Sequence, residues 1–151
     1  MIVNISNEQS TLPIPLEQVE VLVKQVLLNE QASCDEVNIY FVDTPTICQL
    51  HQDYFDDPSP TDCISFPLDD EDTTGYQILG EVFVCPETAL SYAKEHAADP
   101  YDETSLYIVH GLLHLLGYDD MEEEDELPMR AAENSNMEIL KKLNKLLRAP
   151  T

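Results

Sequence analysis

The stretch His110-Gly111-Leu112-Leu113-His114-Leu115-Leu116-Gly117-Tyr118-Asp119-Asp120 decides how this chain is read. Residues four apart on a helix are offset by about 40° around its axis and about 6 Å along it, so His110 and His114 project side by side. Gly117 can adopt the positive φ that ends a helix, after which Tyr118 and Asp119 turn the chain back toward the imidazoles. Asp120 then becomes a third donor. Two imidazole nitrogens and a carboxylate oxygen suit zinc, one ion per chain, with a fourth position left to water as in catalytic sites. The competing reading is a core helix followed by a solvated acidic loop. It leaves both imidazoles without partners beside the apolar stripe of Leu106, Val109, Leu112, Leu113 and Leu116.

Upstream of this helix, whose boundary is marked by Pro100, strand-like and helix-like stretches alternate. Ile2 to Ile5 is a short β-branched run, and Leu16, Val19, Val23, Val26 and Leu27 recur at helical spacing. Val37 to Val42 reads as a buried strand. Thr44 and Pro45 read as the cap and first turn of a helix through Ile47, Leu50 and Tyr54. Thr61 to Pro67 and Gln77 to Cys85 are strand-like, and the acidic stretch between them, Leu68 to Gly75, reads as a loop. Pro86 opens a helix carrying Leu90 and Ala93. Beyond Asp120, the run Glu122 to Glu126 is expected to separate the site from a last helix carrying Met137, Leu140, Leu143 and Leu147. This order predicts an α/β fold, a mixed four-stranded sheet packed by helices, with the metal site on a buried helix and its following turn.

A chain of 151 residues, 43% hydrophobic, fits one domain over 1–151. Its net charge of −23 repels nucleic acid and anionic membranes at long range, so a polyanionic substrate must be held locally. The few cations gather near the C-terminus as Arg130, Lys141, Lys142, Lys145 and Arg148, which reads as the solvated face of an amphipathic helix. Cys34, Cys48, Cys63 and Cys85 form no Cys-x-x-Cys pair, and no signal-like or membrane-length apolar run is present. Reduced thiols and a cytoplasmic location are therefore expected.

The motif resembles that of the YbeY family of bacterial metal-dependent endoribonucleases, His-Gly-x-Leu-His-Leu-x-Gly-Tyr-Asp-His, and departs from it only in Asp120, where the family has histidine. Pro60-Thr61-Asp62-Cys63-Ile64-Ser65-Phe66-Pro67 is similar to the family's Pro-Thr-Asp-Val-Leu-Ser-Phe-Pro, and Leu79-Gly80-Glu81-Val82 to its Leu-Gly-Asp/Glu-Ile strand. The resemblance implies zinc-dependent, single-strand-specific RNA cleavage in 16S rRNA 3′-end maturation and ribosome quality control. Its implied partners are rRNA and the small ribosomal subunit, with recruitment by a ribosomal protein or an assembly GTPase.

Carried over by position, His110, His114 and Asp120 act through the metal and its water. Aspartate is a competent ligand, but its charge makes that water less acidic than histidine would. A second departure is Phe55, which falls where the family has a phosphate-facing arginine. Phe55, Thr61, Asp62 and Ser65 are the candidate walls of a substrate cleft, and Asp119 is a candidate to orient a ligand imidazole. His51 and His96 read as surface residues, and Glu81 as an exposed strand residue with some prospect of reaching the pocket. Gly111 occupies the position where His-Glu-x-x-His proteases carry their base, which argues against a protease. The alternative function is a metal-stabilised, ribosome-associated binding module with weak or no intrinsic nuclease activity.

Overall fold

The computed structural model describes residues 1–68 and 75–150. The expected acidic loop at Leu68 to Gly75 therefore lies largely outside the described residues. The elements run β1 (Ile2–Asn7), α1 (Leu16–Asn29), β2 (Glu36–Phe41), α2 (Thr44–Phe55), β3 (Cys63–Pro67), β4 (Ile78–Val84), α3 (Pro86–His96), α4 (Pro100–Leu115) and α5 (Glu123–Lys142). The four strands lie in the order β1-β2-β4-β3, with β1, β2 and β4 parallel and β3 antiparallel to β4. The mixed α/β sheet expected from the alternating pattern is what forms. No helix among the described residues is long and apolar enough to cross a membrane.

Period-2 alternation sorts the strands onto two faces. Val37, Ile39, Phe41, Val82 and Val84 pack with Leu22, Val26, Ile108 and Leu112 of α1 and α4 in the main core. Ile64, Val42, Cys85 and Ile47 form a smaller cluster beneath α2 on the other face. Glu81 pairs with Asn38 and Phe66 on that second face and engages Tyr40, so it points away from the α4 histidines and does not reach the pocket.

Helix α4 is buried on nearly every side, which is why its sequence is apolar all round rather than along one stripe. Its polar members are satisfied internally: Thr104 and Ser105 donate to the carbonyls four residues back, at 2.7 and 2.8 Å. It also lies tight against the sheet. A Cβ on Gly111 would overlap Val82 Cγ1 and sit 3.2 Å from Ser65 Oγ. Ser65 Oγ donates to the Gly111 carbonyl at 2.9 Å, so strand β3 grips the helix at the residue between the two histidines. Even a methyl group there would have to displace Val82, which gives a physical reason for the missing protease glutamate.

Gly111→Ala therefore pits two effects against each other. Helix propensity favours alanine by about 1 kcal/mol. Overpacking against a fully buried valine such as Val82 costs about 1–3 kcal/mol. The net expectation is a loss of about 1 kcal/mol, seen as a lower urea midpoint with unchanged m-value. A midpoint at or above wild type would show that the helix–sheet contact relaxes.

Two helix starts differ from the sequence reading. Asp43, not Thr44, caps α2, its Oδ1 accepting from Thr46 N–H at 3.0 Å. The carboxylate one residue earlier has the extended backbone a cap needs, and Thr44 becomes the first helical residue. The acidic run after the site is not a linker. Glu123, Glu124, Asp125 and Glu126 form the first turn of α5, where their charge complements the positive end of the helix dipole. This helix ends at Lys142, and its buried face is Met129, Ala132, Glu133, Asn136 and Leu140. Leu143 is half-exposed, and Leu147 is buried from the tail that follows, where Ser105 Oγ accepts its N–H at 2.9 Å.

Candidate metal centre

Helix α4 closes in a Schellman arrangement built on Gly117, whose φ is 102°. Gly117 N–H donates to the His114 carbonyl at 3.1 Å, and Tyr118 N–H to the Leu113 carbonyl at 3.0 Å. This turn swings the Tyr118 carbonyl back to 3.1 Å from His114 Nδ1. Asp119 Oδ1 accepts from the N–H groups of Asp120 (2.7 Å) and Met121 (3.1 Å), completing the reversal. The Asp120 carboxylate then stands 3.6 Å from His110 Nε2 and 3.7 Å from His114 Nε2. The two Nε2 atoms are 3.0 Å apart with their rings nearly perpendicular, at 80°.

These side chains fit a metal ion on two grounds. The first is protonation. His110 Nδ1 lies 2.8 Å from the Glu133 carboxylate and His114 Nδ1 faces a carbonyl, both of which only accept. In the neutral imidazole the proton then sits on each Nδ1, and each Nε2 presents a lone pair. Two lone pairs and a carboxylate facing one another repel unless a cation lies among them. The second ground is spacing. Tetrahedral bonds of about 2.0 Å place donor atoms about 3.3 Å apart; the two Nε2 atoms are 3.0 Å apart, and the nearest Asp120 oxygen to each, Oδ2 for His110 and Oδ1 for His114, lies at 3.6 and 3.7 Å. His110, His114 and Asp120 are accordingly a group able to hold a metal ion.

Glu133 was not singled out by the sequence, and it holds His110. It is 4% exposed, and Arg130 Nη1 donates to its two oxygens at 2.6 and 2.9 Å. Burial pushes its carboxyl up, but the hydrogen bonds from His110 and Arg130 outweigh burial and leave it below the ordinary range. A carboxylate–imidazole–metal chain of this kind fixes tautomer and ring orientation. The role considered for Asp119 thus falls to Glu133, because Asp119 is committed to the backbone of the turn. A further network braces the turn. Tyr118 Oη donates to Glu30 Oε1 at 2.8 Å, and Asn136 Nδ2 to Glu30 Oε2 at 3.0 Å, tying α1, the turn and α5 together.

A cleft of about 520 Å³ opens over the centre, and its lining includes all four predicted wall residues, Phe55, Thr61, Asp62 and Ser65. Three of them also hold local structure. Ser65 is bonded to α4, Asp62 Oδ1 accepts from Cys63 N–H at 2.7 Å, and the Thr61 carbonyl accepts from Thr88 Oγ1 at 3.2 Å. His51 is not a simple surface residue. It lines the cleft, with Nδ1 2.9 Å from the Ser59 carbonyl, because α2 ends beside the loop leading into β3. His96 is exposed and stacks on Tyr92. Cys63 also lines the cleft, but loss of hydration, then the charges of Asp62, Asp120 and Glu133, push its thiol well above the ordinary value. A thiol kept protonated is a poor nucleophile.

The sequence pattern of the family described as Endoribonuclease YbeY matches residues 4–144. A Protochlamydia amoebophila protein named Endoribonuclease YbeY is 60% identical over 143 residues, covering 95% of each chain. A Chlamydia caviae protein of the same name is 40% identical over 147 residues, covering 95% of this chain and 93% of its own. The solution structure of TM1509 from Thermotoga maritima superposes with a TM-score of 0.64 at 26% identity, over 95% of this chain and 92% of that one.

Proposed function

Because the chain belongs to the YbeY endoribonuclease family, we propose that it hydrolyses phosphodiester bonds of single-stranded RNA at His110, His114 and Asp120 with one zinc ion. The observation that carries this reading is the convergence of the three donors at the floor of an open cleft. Their nitrogen and oxygen set favours zinc over the all-oxygen preferences of magnesium and calcium. When bound, zinc supplies Lewis-acid polarisation of a phosphoryl oxygen and acidification of a water.

The chain's own groups prepare the site. Glu133 and the Tyr118 carbonyl hold the Nδ1 protons, so both Nε2 atoms stay available. Asp120 brings a negative charge where a third imidazole would be neutral, which favours retention of the cation and lowers the charge left to act on phosphate. The physiological substrate we propose is 16S rRNA near its 3′ end, met on the small ribosomal subunit in the cytoplasm. With a net charge of −23 the chain gains little from counterion release, so recruitment by a ribosomal protein or an assembly GTPase supplies affinity that the protein alone lacks.

The test is cleavage of a single-stranded rRNA-derived oligonucleotide by protein of measured zinc content, before and after chelation and on re-addition of zinc. Chelation is expected to lower the rate at least about a hundredfold, with recovery at one equivalent of zinc. Cleavage indifferent to zinc would sink the metal mechanism. No cleavage by fully zinc-loaded protein would move the chain to the ribosome-associated binding module.

A further inference from the structure

The described lining of the cleft offers a polyanion no lysine or arginine, while Asp62, Asp119 and Asp120 are acidic. Positions 69–74, between β3 and β4, read Asp-Asp-Glu-Asp-Thr-Thr and bring no cation either. Arg130, the cation next to the centre, is engaged with both oxygens of Glu133. What the cleft does present is apolar. Phe55 and Met121 both line it and are 56% and 85% exposed.

Phe55 is carried by a helix end rather than by an irregular loop. It is the last residue of α2, and the chain reverses immediately after it through Asp56 in the left-handed region, whose N–H is bonded to the Gln52 carbonyl at 3.1 Å. His51 lies one helical turn back against the ring, centroids 5.7 Å apart and tilted by 57°, and is itself held by the Ser59 carbonyl. The neighbouring Tyr54 packs on Phe66 at 4.8 Å and so belongs to the sheet, not to the cleft. More than half of the Phe55 surface stays open to solvent while its ring edge rests on His51. Met121 directly follows Asp120, which puts an adaptable apolar side chain next to the metal-binding carboxylate.

We propose that Phe55, with Met121, forms a nucleobase subsite that holds RNA beside the metal centre by stacking instead of by phosphate pairing. The inference rests on the endoribonuclease reading and deepens it. An aromatic face accepts any base and needs no charge. It also selects single strands, because a base within a duplex has both faces covered by its neighbours. Each phosphate neutralised by a side chain steepens the dependence of log K on log salt by about 0.7 for single strands. This cleft should therefore show a slope shallower than about −1.4, the value for two such contacts.

The test uses zinc-loaded full-length protein and a single-stranded RNA oligonucleotide carrying one 2-aminopurine, whose emission is quenched on stacking. Wild type, Phe55→Leu and Phe55→Trp are compared from 50 to 200 mM KCl. Leucine keeps the apolar bulk without the aromatic face. It is expected to raise KM about tenfold, the effect of one stacked base, with kcat within about twofold and the quenching lost. Tryptophan should restore both. Unchanged KM and quenching in Phe55→Leu, or a salt slope of about −1.4 or steeper, overturns the subsite and leaves the nuclease reading standing. Quenching that depends on Phe55 without cleavage overturns the nuclease reading alone. Neither quenching nor cleavage overturns both.

Discussion

His114→Ala is expected to remove stoichiometric zinc and to slow RNA cleavage by about a thousandfold or more, the several kcal/mol of transition-state stabilisation a catalytic metal supplies. The imidazole does two things at once. Its Nε2 is one of three converging donors, and its Nδ1 anchors the Tyr118 carbonyl of the turn that carries Asp120. Truncation deletes the first donor and loosens the third, so the loss exceeds that of one ligand in isolation. Metal analysis and single-turnover cleavage measure the two consequences separately. His114 is only partly buried, so the variant should melt close to wild type stripped of metal. Cleavage within tenfold of wild type at undetectable zinc would contradict the assignment.

Glu133→Ala should weaken zinc binding by about 10–100-fold although Glu133 is not a proposed ligand. It should also cost about 1–3 kcal/mol of stability by stranding the His110 Nδ1–H in a buried site, while Arg130, half-exposed, finds water. Competition against a zinc-binding dye reads the first effect and a urea titration the second. The sign of the pH dependence follows from the lowered carboxyl. Its contribution is fully present above the ordinary glutamate value of 4.5 and fades as pH falls through the lower folded value. Glu133→Gln, which can still accept from Nδ1, should keep most of the zinc affinity and lose that part of the acid dependence. Unchanged zinc affinity in the alanine variant would show that His110 needs no carboxylate to orient it.

The donor triad was legible because helical spacing and a glycine-ended turn act over a few residues. His110, His114 and Asp120 meet through local geometry that short-range rules describe, and alternating periods revealed a mixed four-stranded sheet, whereas its strand order β1-β2-β4-β3 is set by tertiary pairing. Glu133 was hidden by distance. It sits 23 residues from His110 on a helix dense in charge, where a glutamate looks solvated. One signal was present. Met129, Glu133, Asn136 and Leu140 recur at helical spacing, so two polar residues fall on the stripe that packs inward, where burial demands partners. His51 reaches the cleft only through the docking of α2 over β3, a tertiary fact with no local signature. The acidic run after the site was misread because charge density resembles a linker until its relation to a helix start is recognised.

Every donor of the centre comes from one helix and the turn that ends it, and this bears on the order in which the molecule assembles. Bringing Asp120 to the histidines closes a loop of a few residues, a small entropic cost compared with joining distant strands. A metal ion can therefore be captured by a segment that has formed only α4 and its glycine turn, before α5 exists as a docked element. Glu133, 23 residues from His110 on α5, joins the centre through a longer loop closure and so at a larger entropic cost.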